Sequence, residues 1–86
     1  MNIIFGPHAE DKFCLFEERG LHFSKEQIID CLQEPDTIEQ GHNGRWVAQK
    51  SINEKHVLRV VFENQGEERR VITFYPGRKK QYENKI

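Results

Sequence analysis

Apolar side chains recur with a helical period near the start of the chain. Ala9, Phe13 and Phe16 follow one another at intervals of four and three residues, with acidic residues between them. This spacing places the three side chains on one face of a helix. Gly20 follows at a position where helices often end in the left-handed conformation that glycine adopts freely. We therefore predict a first helix from about His8 to Arg19.

A second helix has a clearer start. Ser24 and Gln27 have the spacing of a capping box, in which each residue satisfies a backbone N–H group of the other. Phe23 and Ile28 occupy the two positions of a hydrophobic staple at the same helix end. Pro35 disfavours helical backbone at the residue before it. The pattern predicts a helix that begins after Ser24 and ends before Pro35.

Beyond Pro35 the pattern alternates with a period of two, which is typical of half-buried strands. Asn43-Gly44 is a strong signal for a type I′ hairpin turn, and polar turn residues separate the later alternating segments. We predict strands at about 37–40, 45–52, 56–63 and 68–75. Asn2–Phe5 is apolar and forms either a short edge strand or an extended arm.

The order of these elements predicts the fold class. Short connections between successive strands favour an antiparallel sheet, and a chain of 86 residues builds one modest core. We expect a single α+β domain over residues 1–86, with two N-terminal helices packed on one face of a three- to four-stranded antiparallel sheet. Residues 83–86 are expected to form a frayed tail.

The net charge of −1 conceals a division between the two halves of the chain. Residues 1–42 contain three Lys or Arg and nine Asp or Glu, a net charge of −6. Residues 43–86 contain ten Lys or Arg and five Glu, a net charge of +5. A basic second half favours a surface that faces a polyanion, and two solvated faces without a partner are the alternative.

Cysteine usage and the absence of targeting segments point to the cytoplasm. Cys14 and Cys31 form no CxxC motif and lie in apolar-patterned segments, so we expect both to be buried, reduced thiols. The amino terminus lacks the basic and apolar regions of a signal peptide. No apolar run is long enough to span a membrane. We expect a soluble cytoplasmic protein without a membrane partner.

Several familiar motifs of enzymes are missing. The sequence contains no glycine-rich phosphate loop, no GxSxG and no HExxH motif. The four histidines, His8, His22, His42 and His56, are too scattered to form a convincing metal site. We therefore expect no metal and no cofactor.

Arg59 is an unusual residue for its position in the predicted strands. It lies between Val57 and Val61 on a largely apolar strand face. A guanidinium group there needs an acidic partner or a ligand phosphate. A salt bridge to an acid of the helices and a clamp for a phosphate group both remain open.

The end of the last predicted strand combines aromatic and basic residues. The strand is expected to end at Tyr75, and Pro76-Gly77 to form a turn. This turn would place further side chains at the same rim of the sheet: Arg78, Lys79, Lys80 and Tyr82. Interleaved cations and rings can bind phosphates and unpaired bases. Alternatively, the charges keep the last strand soluble and prevent edge pairing.

His8 is the remaining candidate for chemistry. It lies at the start of the first predicted helix, where the helix dipole disfavours a cation. A neutral imidazole can act as a general base near pH 7. A surface or capping role is the alternative for this residue.

Four segments together resemble the domain of unknown function 4258 family: "PHAEDKFCLFEERGLHFSKEQIIDCLQEPD", "NGRWVAQK", "LRVVFE" and "RRVITFYPGRKK". The resemblance runs from about Pro7 to Tyr82. That family is similar to the RelE/ParE-like toxin superfamily, which includes the BrnT-type ribonuclease toxins. The resemblance implies a small antiparallel sheet that carries two helices, cofactor-free RNA cleavage, and inhibition by a cognate antitoxin on a separate chain.

The resemblance also suggests roles for individual residues in a metal-independent endoribonuclease. The hypothesis assigns His8 to proton transfer, Arg59 and Arg78 to phosphate binding, and Tyr75 to protonation or orientation of the leaving group. RNA-binding residues would be Lys79, Lys80, Arg45 and Tyr82. The alternatives are a non-catalytic protein- or RNA-binding module of the same fold and a ParE-like activity against a DNA topoisomerase. The oligomeric state is not predicted.

Overall fold

The computed structural model describes residues 2–82 of the chain. Its elements are β1 (Asn2–Phe5), α1 (Pro7–Glu18), α2 (Lys25–Gln33), β2 (Thr37–Gln40), β3 (Trp46–Ser51), β4 (His56–Gln65), β5 (Glu68–Arg78) and α3 (Lys79–Tyr82). The strands form one sheet in the order β1-β5-β4-β3-β2. The predicted α+β class is confirmed, whereas the predicted tail at 83–86 lies outside the described residues.

Local sequence signals set the ends of both longer helices. The Ser24 hydroxyl accepts a hydrogen bond of 3.2 Å from the Gln27 N–H group, and the Ser24 N–H group donates to Gln27 Oε1 at 2.9 Å. This reciprocal pair is the predicted capping box of α2. Beyond α1, Gly20 has a φ angle of +79°, which residues with a side chain rarely adopt. Both helix predictions are confirmed.

The sheet is mixed and has five strands in the described range: the later strands are antiparallel as predicted and Asn2–Phe5 is an edge strand, but a wholly antiparallel sheet of three to four strands is not confirmed. Strands β2 to β5 pair in antiparallel fashion, but β1 pairs in parallel with β5. The Gly6 N–H group continues this pairing through a 3.0 Å hydrogen bond to the Val71 carbonyl. The first strand therefore lies along the last one, a long-range pairing that short connections between neighbouring strands do not predict.

The predicted hairpin turn at Asn43-Gly44 is confirmed. Asn43 and Gly44 have φ angles of 57° and 76°. The Arg45 N–H group donates to the His42 carbonyl at 3.1 Å. Positive φ at both central residues is the requirement of a type I′ turn. This turn fixes the register of β2 against β3, in which Glu39 lies opposite Val47.

The last strand extends further than predicted. Pro76-Gly77 is not a turn, because β5 continues to Arg78, with Pro76 opposite Leu58. Strand β1 pairs only with residues 68–71 of β5. Over the described residues the outer side of β5 at Pro76 is therefore a sheet edge, where a residue without an N–H group is tolerated. The chain then forms the short helix α3, which the sequence did not predict.

Alternation along the strands separates two faces of the sheet. The first, here called the core face, carries Ala48, Leu58, Val60 and Phe74, which cluster with apolar residues of α1 and α2. The ring centroid of Phe74 lies 4.7 Å from that of Phe13, and 5.7 Å from those of Phe16 and Phe23. Residues between these positions project from the opposite side, here called the far face: Val57, Arg59, Val61 and Tyr75.

The two cysteines have different environments. Cys31 is buried, and its thiol donates weak hydrogen bonds to the carbonyls of Ala48 at 3.6 Å and Leu58 at 3.8 Å. Cys14 is exposed, so the prediction that it is buried was wrong. It follows Phe13 on α1, and one residue is a rotation of about 100° away from the apolar face. Burial raises the pKa of Cys31 to about 12, so this thiol stays protonated near neutral pH.

None of the helices within residues 2–82 is long and apolar enough to cross a lipid bilayer.

Thiol modification tests the placement of the two cysteines. At pH 8 a disulfide reagent should react with about one thiol per native chain, because Cys14 is exposed, whereas Cys31 is buried and burial raises the pKa of its thiol. Cys14→Ser should remove the fast reaction, and denaturation should restore the reactivity of Cys31. Rapid modification of both thiols in the native protein would contradict the structure.

Candidate functional site

The side chain of Arg59 is held on the far face by three other side chains. The residue is only 7% exposed. Its Nε donates to the Tyr75 hydroxyl at 3.1 Å, and its Nη2 donates to Glu39 Oε1 at 2.7 Å. Its Nη1 donates to Oε1 of Gln49, which is 4% exposed. All three nitrogens of the guanidinium group therefore have acceptors within the protein.

Strand register explains why these groups meet. Arg59 of β4 lies directly opposite Gln49 of β3 on one side and Tyr75 of β5 on the other. Directly opposite residues in a sheet project to the same face at close distance. Glu39 comes from β2, one strand further away, and the length of the arginine side chain bridges that gap. The acidic partner of Arg59 thus comes from a strand, and not from a helix.

The environment keeps Arg59 charged. Burial alone lowers the pKa of a guanidinium group, but the hydrogen bonds to Tyr75 and Glu39 raise the pKa of Arg59, and the net shift is upward. A charge in such a place needs its acceptors, since an unpaired buried cation is strongly destabilising.

The ring of Tyr82, on α3, packs on the guanidinium group of Arg59. The Arg59 guanidinium carbon lies 4.1 Å from the centroid of the Tyr82 ring, a close cation–π contact. The ring lies directly on Gly77, because a Cβ atom at Gly77 would overlap it. Glu39, Gln49, Arg59, Tyr75 and Tyr82 are here called the Arg59 cluster. It joins α3 and the four antiparallel strands.

A groove opens beside the Arg59 cluster on the far face. Its volume is about 460 Å³, and it is lined by Glu39, Gln40, Gly41, His42, Arg45, Val47, Arg59, Val61 and Tyr75. The β2–β3 turn supplies His42 and Arg45, which are both exposed. Val47, Val61 and the Tyr75 ring provide apolar area between these polar groups. The groove thus combines an apolar floor with cationic and acidic groups at its rim.

A second depression has a different character and lies at the end of the sheet where β4 begins and β5 ends. Its volume is about 530 Å³, and it is lined by Glu54, Lys55, His56, Arg78, Lys79 and Lys80. The Lys79 N–H group donates to the Lys55 carbonyl at 2.9 Å and ties α3 to the start of β4. Lys55, His56, Arg78, Lys79 and Lys80 are here called the cationic surface.

The structure brings together only two of the four predicted catalytic residues. Arg59 and Tyr75 are in contact. His8 is exposed on α1, whose apolar residues pack on the core face, whereas Arg59 and Tyr75 project from the far face. Arg78 lies three residues beyond Tyr75 on β5, opposite His56, and therefore on the other face from Tyr75. The four residues do not converge on one concavity.

The predicted RNA-binding residues divide among three places. Lys79 and Lys80 lie on the cationic surface together with Arg78. Arg45 lies at the groove, and Tyr82 covers Arg59. Sequence reasoning did not identify Glu39, Gln49 and His42 at this site. The predicted hairpin register could have placed Glu39 on the same face as Val47. It could not have given the distance between Glu39 and Arg59.

Within residues 2–82, no group of three or more His, Cys, Asp or Glu side chains is arranged to hold a metal ion.

Comparisons with known proteins identify no relative of this chain. A scan against protein-family models, a search of curated proteins and a search of solved structures each return no match. The family resemblance drawn from the sequence stays a prediction.

The Arg59 cluster predicts a large effect of removing its charge. Arg59→Met should lower the free energy of unfolding by about 1–3 kcal/mol, because buried Gln49 loses its donor, whereas Glu39 is partly exposed to water. The exposed Arg45→Met serves as the control and should change it by no more than about 0.5 kcal/mol. Urea denaturation measures both values. Equal, small effects would show that the cluster does not stabilise the fold.

The contact between Gly77 and Tyr82 is testable by a double-mutant cycle. Gly77→Ala should destabilise the wild-type background, because the added Cβ displaces the Tyr82 ring from Arg59. In a Tyr82→Ala background the added Cβ has no ring to overlap, so the same change should lower the free energy of unfolding by less. We expect a coupling free energy of about 0.5–3 kcal/mol. An equal cost of Gly77→Ala in both backgrounds would exclude the contact.

Proposed function

We propose that this protein binds single-stranded RNA by its phosphate backbone through the cationic surface. The observation that carries the proposal is the convergence of Lys55, His56, Arg78, Lys79 and Lys80 around one depression. Four of these side chains are Lys or Arg, and Glu54 is the acid in the same lining. Clustered cations of this kind neutralise phosphates and release their counterions, which supplies most of the affinity for a nucleic acid.

The distribution of charge along the chain supports a polyanion as the ligand. The first half of the chain, with net charge −6, supplies both longer helices, and the second half, with +5, supplies β3 to β5. Acidic side chains on the helices pair with lysines: Glu10 with Lys25 at 3.1 Å, and Asp30 with Lys50 at 2.7 Å. The cationic surface instead gathers like charges, which repel one another unless an anion neutralises them.

Single-stranded RNA is the form of nucleic acid that fits best. Tyr82 belongs to α3, the helix that carries Lys79 and Lys80, and its ring and that of Tyr75 on the far face can stack on unpaired bases. In a duplex the bases are already stacked and paired, so these rings would have no exposed base face to contact. The same proposal includes a RelE/ParE-like architecture, with two N-terminal helices on one face of the sheet. It also includes a cytoplasmic location.

Binding to a fluorescent oligouridylate tests this function directly. With four phosphate contacts, the logarithm of the association constant should fall against the logarithm of salt concentration with a slope of about −3. Lys79→Gln/Lys80→Gln should weaken binding and reduce the slope by about 1.4. Lys12→Gln/Arg19→Gln removes two charges from the α1 region and is the matched control. No binding at low salt, or equal effects of the two double variants, would overturn the proposal.

RNA cleavage is the second candidate function, and the contact between Arg59 and Tyr75 favours it. These two residues line the groove together with His42 and Arg45. The ribose 2′-oxygen would attack the adjacent phosphorus and lose its proton to His42. The bond from phosphorus to the 5′-oxygen would break, with Tyr75 donating a proton to that oxygen, and a 2′,3′-cyclic phosphate would form. Arg45 would stabilise the charge on the phosphate, and Arg59 would hold the Tyr75 hydroxyl in place.

Induced expression in bacteria separates cleavage from binding alone. A ribonuclease toxin should arrest growth and degrade total RNA, and Tyr75→Phe should slow cleavage by about 10²-fold or more by removing the proton donor. Purified protein should give 2′,3′-cyclic phosphate ends in the presence of a chelator. Intact RNA and normal growth would exclude RNA cleavage and leave RNA binding as the proposed function. Growth arrest with intact RNA would favour action on a DNA topoisomerase, and co-purification of a neighbouring gene's product would support an antitoxin.

A further inference from the structure

We propose that the groove on the far face binds one unpaired nucleobase of the RNA whose backbone lies on the cationic surface. This inference rests on the proposed function and adds a second contact to it, which distinguishes a strand that carries bases from a bare chain of sugar and phosphate.

The lining of the groove suits a flat, partly polar ring. Val47, Val61 and the ring of Tyr75 form an apolar area, and Arg45 and His42 stand at the rim. A volume of about 460 Å³ lies within the range of small-molecule sites, which combine apolar walls with a few placed polar groups. A nucleobase matches this mixture, because its faces are apolar and its edges carry hydrogen-bonding atoms.

The charge of the groove favours a base over a free anion. Glu39 lies 2.7 Å from Arg59 and compensates its charge. Within the described lining, exposed Arg45 is the other cation at the rim, with His42 beside it in the turn. A phosphate group would gain more from the cationic surface, where four Lys or Arg side chains converge. The two concavities thus divide naturally into a backbone site and a base site.

The wall of the groove is rigid before any ligand arrives. Arg59 is fixed by hydrogen bonds to Gln49, Glu39 and Tyr75, which together use three of its five N–H groups. The Tyr75 ring is oriented by the same contact. A surface fixed in this way loses little conformational entropy when a base stacks on it.

The helix α3 connects the two sites. Arg59 follows His56 of the cationic surface by three residues on β4, so the two side chains project from opposite faces and an RNA strand would pass around the end of the sheet at α3. Tyr82 lies over Arg59, and α3, to which it belongs, carries Lys79 and Lys80. A strand held at those lysines can therefore pass Tyr82 and place its next base in the groove.

Comparison of two oligonucleotides tests the inference. One is an oligouridylate, and the other is an abasic ribose chain of equal length with the same phosphates. The wild-type protein should bind the oligouridylate about tenfold or more tightly, in line with the gain that stacking of a base provides. Arg45→Gln and the groove-filling Val61→Phe should reduce that ratio toward one.

Each other result has a distinct meaning. Equal binding of both chains by the wild-type protein would overturn the base site while leaving the cationic surface intact. Binding of neither chain would overturn the proposed function itself, and the base site with it. If Val61→Phe fails to fold, Arg45→Gln decides alone, because its side chain is exposed in the turn. An unchanged ratio in that variant would exclude a role of the rim cation in holding the base.

Discussion

The buried guanidinium group of Arg59 is the interaction on which the rest of the far face depends. Its hydrogen bonds reach Glu39 of β2, Gln49 of β3 and Tyr75 of β5, so that the four antiparallel strands meet at one charge. Tyr82 covers the same group. Polar networks of this kind are costly when one member is missing and rigid when every member is present. We infer that the first role of Arg59 is to hold the sheet and α3 in register.

This constraint determines where function can lie. A guanidinium group whose nitrogens already donate to protein acceptors is a poor primary clamp for phosphate, although it makes a firm wall for a neighbouring groove. Within residues 2–82, the Lys and Arg side chains that gather without protein acceptors of this kind lie on the cationic surface, at the start of β4 and the end of β5. A division between a structural cation and ligand-binding cations explains why the predicted catalytic residues do not converge.

Sequence signals that act over a few residues predicted the structure well. The capping box at Ser24 and Gln27 and the turn at Asn43-Gly44 are local chemistry, and both occur as expected. The pairing of β1 with β5 depends on residues more than sixty positions apart. The hydrophobic pattern of the sequence does not predict the register of such a pairing. Gly77 looked like a turn residue, but its lack of a side chain makes room for the Tyr82 ring, a contact that only the folded chain defines.

Nuclear magnetic resonance of the ¹⁵N-labelled protein, titrated with a short oligouridylate, shows whether the RNA backbone lies on the cationic surface while Arg59 keeps its protein partners. It reports the backbone amides and the Nε–H group of Arg59 in one experiment. We expect the largest shifts at Lys55, His56 and residues 78–80, with smaller shifts at Arg45 and Val61. The Arg59 Nε–H signal should persist, because its hydrogen bond to Tyr75 remains. Loss of that signal on binding, or shifts centred on His8, would overturn the division between a structural cation and ligand-binding cations.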